Sequence, residues 1–149
     1  MPLAQFNIAR ARWPLQDERM KVFNDNTERM KTLAARSPGF IWQLSGDGAK
    51  QIIWDDPQMT WTVSLWRDAE ALANFAFRTV HRQFFQRRAE WFPVLDHVWF
   101  ALWEIEEGRN PTLAEALEKK ARFDRQGPSE DVFGWERFPH LRALRDSVA

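Results

Sequence analysis

The stretch Thr60-Trp61-Thr62-Val63-Ser64-Leu65-Trp66 constrains the fold more than any other part of the chain. Its side chains alternate strictly: Met59, Trp61, Val63 and Leu65 share one face, and Thr60, Thr62, Ser64 and Trp66 the other. That is the period of a half-buried strand. Asp68 follows at once as a helix cap, and the residues beyond it repeat at helical spacing. A strand that turns directly into a helix, with tryptophan at the corner, belongs to an α+β layer in which helices fold back onto a sheet.

The remaining pattern extends this layer. Leu3 to Arg12 reads as a strand, with Phe6 and Ile8 on one face and Gln5, Asn7 and Ala9 on the other. A helix is predicted from Asp17 to about Arg36, stopped by Ser37-Pro38-Gly39. Phe40 to Leu44 is a second strand, followed by a Gly46-Asp47-Gly48 turn leading to Gln51-Ile52-Ile53-Trp54. Asp68 to about Phe92 is predicted helical with a bend near Thr79, and His97 to Ile105 is a strand apolar on both faces. Thr112 to Gln126 is an amphipathic helix with Thr112 as N-cap and Glu115 completing a capping box. The tail from Ser129 has no clear pattern. The order β, α, β, β, α, β, α predicts an antiparallel sheet with helices on one face, plus a C-terminal helix. The uncovered face carries Trp and Phe, and a second copy of the chain is expected to cover it as a homodimer. One domain is expected over residues 1–149, with its core at about 3–106 and a C-terminal helix and tail at 111–149.

Composition removes several function classes. Twenty-one Lys and Arg balance twenty-one Asp and Glu, so no global field gathers nucleic acid or a membrane surface. The absence of cysteine excludes thiolate chemistry and Cys-ligated metals. The three histidines show no metal-binding spacing, and no metal site is expected. No basic leader or long apolar run appears, which makes a cytoplasmic location the expectation. Nine Trp and twelve Phe exceed what a core of this size requires, so some are expected to line a pocket for a small apolar or aromatic molecule.

Several segments together resemble a known family. They are Ser37-Pro38-Gly39-Phe40-Ile41-Trp42, Ser64-Leu65-Trp66 with Phe75 and His81, Arg88-Ala89-Glu90-Trp91-Phe92, Leu102-Trp103, Pro111-Thr112 with Glu115-Ala116-Leu117, and Gly127-Pro128-Ser129. The pattern is similar to that of a bacterial family of uncharacterised domains. That family is placed in the dimeric α/β-barrel (ferredoxin-like) superfamily with the antibiotic-biosynthesis monooxygenases. The resemblance implies a fold and a dimer rather than a reaction. Two departures stand out: Gly108-Arg109 where relatives tend to carry Gly-His, and Glu104 after Trp103 where a second Trp is usual.

Candidate chemistry centres on His81, Asn7 and Trp66. They resemble the Asn, Trp and haem-ligating His of haem-degrading monooxygenases in the same superfamily, which implies haem as one cofactor reading. A cofactor-free reading uses His81 as a base on a phenolic or enolisable substrate, with Asn7 and Ser64 or Thr62 orienting the anion. Oxygen then attacks the carbanion, as the superfamily's cofactor-independent members imply. A third reading leaves His81 as a satisfied helical histidine and Trp66 as a wedge between sheet and helix, in a non-catalytic ligand-binding protein. Gln5, Thr62, Ser64, Phe85, Arg88 and Trp103 are the expected substrate-binding residues, Arg88 as an anchor for a carboxylate.

Overall fold

Leu3–Arg10 (β1) is buried on both faces, and it becomes one of the two inner strands of the sheet. The computed structural model describes residues 1–78, 81–87, 90–91 and 99–147, and of residues 47, 49, 81, 84 and 85 the backbone alone. Phe40–Gln43 (β2), Met59–Trp66 (β3) and Trp99–Glu104 (β4) complete a four-stranded sheet in the order β2-β3-β1-β4. All neighbours are antiparallel. The outer edge of β4 is closed at one point, where Leu102 and Phe133 exchange two backbone hydrogen bonds of 2.7 and 2.9 Å.

Residues paired across strands share a face of the sheet. The register sets Leu3 against Trp66, Gln5 against Ser64 and Leu102, and Asn7 against Thr62 and Phe100. One face therefore carries Leu3, Gln5, Asn7, Thr62, Ser64, Trp66, Phe100 and Leu102. The opposite face carries Ala4, Phe6, Ile8, Val63, Leu65, Ala101 and Trp103.

Helices Lys21–Ala35 (α1), Ala69–Arg78 (α2), His81–Gln86 (α3), Leu113–Gln126 (α4) and Pro139–Ser147 (α5) surround this sheet. The first face packs on Ala34 of α1, Ala69, Leu72 and Phe75 of α2, Leu141 of α5, and Phe133 and Trp135 of the tail. The second face was expected to await another copy, but α4 of the same chain lies over it through Leu113, Ala116 and Leu117, joined by Ile53. The physical reason is visible in the side chains. Ala4, Ala101 and Ala116 are all fully buried, and their small size lets α4 approach the sheet closely enough to bury its apolar stripe. Ile41, Ile52 and Trp54 remain exposed.

Other boundaries shift in understandable ways. β1 ends at Arg10, and the α-helix predicted from Asp17 begins at Lys21. Asp17 caps a short 3-10 turn, Glu18–Met20, by accepting from the Arg19 amide at 2.9 Å. Gln51–Trp54 forms no strand. Trp54 and Asp55 stand at φ of 54° and 53°, a left-handed pair that closes a tight turn with the Asp56 amide on the Ile53 carbonyl at 3.1 Å. The Lys120 ammonium holds this turn, 5.5 Å from the Trp54 ring and 5.2 Å from that of Trp99. The long helix predicted to Phe92 is described as α2 and α3; its end at Phe92 and the strand start at His97 lie outside the described residues. The tail, unread in the sequence, supplies α5. No helix among the described residues is long and apolar enough to cross a membrane.

The strand-to-helix corner forms as expected. Asp68 Oδ1 accepts from the Ala71 amide at 2.8 Å, and the Arg67 amide donates to the Gly39 carbonyl at 2.7 Å. Gly39 is required here: its φ is +84°, and an added Cβ would come within 2.4 Å of the Ala71 Cβ. At the start of α4 the capping box is only half formed. Thr112 accepts from the Glu115 amide at 3.1 Å, but the Glu115 carboxylate turns away to a two-pronged pair with Arg109 at 3.0 and 2.8 Å. A charge-assisted bidentate pair outweighs a single bond to a backbone amide. Arg109 therefore ties the turn after β4 to α4.

This pair generates a pH prediction. The Arg109 guanidinium chiefly, helped by Trp103 and Lys119, holds the half-buried Glu115 carboxyl below its ordinary value of 4.5. A depressed folded-state pKa stabilises above the unfolded value and is lost as pH falls through the folded one. Thermal melting of Glu115→Gln should lie below wild type at neutral pH, and the gap should close as pH drops below about 4.5. A gap that stays constant into acid would show that the ion pair contributes nothing.

Candidate functional site

The first face of the sheet holds a short polar file inside an aromatic wall. Trp66, 1 % exposed, stacks on Phe75 of α2 with ring centroids 5.3 Å apart and planes at 27°. It meets Phe40 edge to face, with centroids 5.4 Å apart and planes at 85°. Its Nε1 donates to Ser64 Oγ at 2.9 Å, and Ser64 Oγ donates to Gln5 Oε1 at 3.0 Å. Gln5 Nε2 then donates to the Thr62 carbonyl at 3.2 Å and to Thr62 Oγ1 at 3.3 Å. Gln5 and Ser64 are buried polar residues, and the file satisfies them within the protein.

Asn7 stands next along β1, cross-strand from Thr62 on one side and Phe100 on the other, all three half-buried. Among the described residues its side-chain amide makes no hydrogen bond. Among the described residues of this face that are buried or half-buried, it is the polar side chain left without a partner. Phe100 in turn lies flat on Trp135, with centroids 5.1 Å apart and planes at 9°.

The structure brings together Gln5, Asn7, Thr62, Ser64 and Trp66 of the expected residues. It places Trp103 elsewhere: opposite Ala4, on the other face, 1 % exposed beneath α4. Its Nε1 lacks a well-formed hydrogen bond but helps hold Glu115 low. Its position is that of a residue that docks α4. Arg88 lies outside the described residues, as do the side chains of His81 and Phe85; the backbone puts His81 first in α3. Arg87, beside Arg88 in the expected basic stripe, is paired with Glu90 at 3.2 and 2.8 Å. Phe100 and Trp135 were missed. Alternation along β4 already separated Phe100 from Trp103, but only the register with β1 shows which of them neighbours Asn7.

Trp66 also bears on the haem reading. Its ring is taken by Phe75 and Phe40 and its N–H by Ser64, so it presents no face to a macrocycle. The haem arrangement does not fit at this residue. Among the described residues no group of His, Asp and Glu is arranged to hold a metal ion. A separate open cleft of about 440 Å³ lies outside the corner, lined by Pro38, Arg67, Asp68, Asn74, Phe75 and Phe138. Phe75 is its wall on the Trp66 side, so it adjoins the polar file without reaching Asn7.

Two substitutions separate support from availability. Ser64→Ala strands the Trp66 N–H and takes the shorter of its bonds from Gln5 Oε1, and should cost about 1–3 kcal/mol in urea unfolding. Asn7→Ala removes no bond and should cost less than about 1 kcal/mol. The reverse order would make Asn7 the structural residue and the file dispensable.

Comparison with solved structures finds the cofactor-independent oxygenase SnoaB from Streptomyces nogalater, with a TM-score of 0.50 and 13 % identity over 71 % of this chain and 94 % of that one. At that identity the likeness shows a shared ferredoxin-like α+β fold. No curated protein matches the sequence. The model of a domain of unknown function, DUF3291, matches residues 2–146, nearly the whole chain, and the protein belongs to that family.

Proposed function

We propose that the protein binds a small, largely apolar aromatic molecule against the helix-covered face of the sheet and acts on it as a cofactor-independent oxygenase. The observation that carries this reading is Asn7, an accessible amide without a side-chain partner among the described residues, between Thr62 and the Phe100 ring. A protein that satisfies Gln5 and Ser64 so fully yet leaves their neighbour open has reserved a polar group for a ligand. The shared fold with SnoaB, whose described activity is cofactor-independent oxygenation, supports the reaction class.

In this reading His81 removes a proton from the activated carbon of an anthrone-like substrate, and Asn7 donates to the enolate oxygen that forms. Dioxygen, the oxidant, adds to the carbanion. The resulting hydroperoxide loses water, so that CH₂ and O₂ become C=O and H₂O. Thr62 borders the ligand, Gln5 and Ser64 support Thr62 from behind without touching the ligand, and Phe100 supplies a ring for stacking. Phe85 and Arg88 complete the proposed binding set from the segment after α2.

The test is oxygen uptake with anthrone. Wild type should consume oxygen and form the quinone, His81→Ala should lose at least about 100-fold and Asn7→Ala about 10- to 1000-fold in turnover, with both variants folded. Saturable anthrone binding without oxygen uptake would make this a ligand carrier, and the absence of both would remove the site. A homodimer is the second part of the proposal, with exposed Ile41, Ile52 and Trp54 among the apolar side chains available for it now that α4 lies on the second face. Sedimentation equilibrium should give twice the chain mass; a monomer at high concentration would refute it.

A further inference from the structure

We propose that Ser64 is a positioning residue: it keeps the Thr62 hydroxyl free to donate, so that Thr62 and Asn7 together bind an anionic oxygen of the ligand, a phenolate or an enolate. This rests on the ligand site of the preceding section and assigns its chemical preference.

The polarity of the buried file follows from what each group can do. An indole N–H only donates, so Ser64 Oγ must accept from Trp66 at 2.9 Å. The Ser64 proton then goes to Gln5 Oε1 at 3.0 Å. At the other end the Thr62 carbonyl only accepts, so the amide of Gln5 must present Nε2 to it at 3.2 Å. The Thr62 carbonyl fixes the orientation of the Gln5 amide, and the Ser64 bond to Oε1 agrees with it.

The consequence falls on Thr62. Its Oγ1 accepts from Gln5 Nε2 at 3.3 Å, which leaves its proton to place. Among the described residues the acceptor within reach is Gln5 Oε1 at 3.4 Å, long for a hydroxyl donor, and Ser64 already serves that oxygen at the shorter distance. The Thr62 hydroxyl thus prefers a ligand acceptor. Its cross-strand neighbour is Asn7, whose NH₂ is the second donor. Two neutral donors on adjacent strands, in a half-buried setting walled by Phe100, favour an oxygen anion on an aromatic ring over the neutral phenol, because a bond to a charged acceptor is the stronger one.

If Ser64 loses its hydroxyl, Gln5 Oε1 is left needing a donor, and Thr62 turns inward to supply it. Ser64→Ala should therefore act on the ligand exactly where Ser64 does not touch it. The probe is para-nitrophenol, whose ionised form absorbs in the visible, titrated with pH in the presence of saturating protein. Wild type should lower the apparent pKa of the bound probe. Thr62→Val and Ser64→Ala should each cut the preference for phenolate over phenol by about tenfold, one pKa unit. The double variant should be no worse than either, since both remove the same donor. Where Ser64→Ala folds poorly, Ser64→Cys, a weaker donor of similar shape, should show a smaller loss in the same direction.

A merely structural Ser64 weakens phenol and phenolate binding alike, and the bound probe keeps its lowered pKa. That result, with wild type and Thr62→Val behaving as stated, overturns the role of Ser64 and leaves the ligand site standing. A wild-type protein that neither binds the probe nor shifts its pKa overturns both.

Discussion

The seat of Trp66 is the constraint on which the rest depends. One side chain at the end of β3 meets β2 through Phe40, α2 through Phe75 and the polar file through Ser64. Burying so large a ring is worth several kcal/mol, but only if its N–H is satisfied, because an unpaired buried donor cancels much of the gain. Ser64 must therefore be where it is. Once Ser64 is present its own proton needs an acceptor, and Gln5 on the neighbouring strand supplies it. A packing requirement at the corner thus propagates as a hydrogen-bond polarity along the sheet until it reaches Thr62.

The two faces divide the work. The second is wholly apolar under α4, and it holds the fold through close approach of small residues to a helix of the same chain. The first combines apolar contacts at one end with polar groups toward the other, ending at Asn7. Polar residues on a buried face are tolerated where they are paired, and they are informative where they are not. The outer cleft beside Arg67 and Asp68 is open, its charges are exposed, and one pair is neighbour to neighbour, at 3.3 Å. The unpaired amide marks the more specific place.

Strict alternation made β3 legible to the residue, because a two-residue period has only one phase that hides Val63 and Leu65. The helix cap at Asp68 and the stop at Gly39 were legible for equally local reasons. Alternation also separated Asn7, Thr62 and Trp66 from their apolar neighbours. The helices over the first face were legible; what sits over the second was not, since an amphipathic α4 states that it needs a partner without naming it, and the chain itself proved to be that partner. The Glu115 carboxylate was misread because a capping box is a local motif and its competitor, Arg109, comes from across the turn. That Phe100 rather than Trp103 neighbours Asn7 was not legible either, because pairing register with β1 is a tertiary fact. The turn after Gln51–Ile53 rests on two successive left-handed residues, Trp54 and Asp55, held by a lysine from α4 that no local pattern announces.

The central claim is that the free amide of Asn7 meets the ligand while that of Gln5 does not. Side-chain amide resonances in a ¹⁵N-labelled sample, followed while anthrone is titrated in, test this directly. The account predicts that the Asn7 NH₂ pair shifts in a saturable way while the Gln5 pair, locked to Thr62, stays in place. An unmoved Asn7 with a shifting Asn74, which lines the outer cleft, would contradict it and move the site to the other side of Phe75.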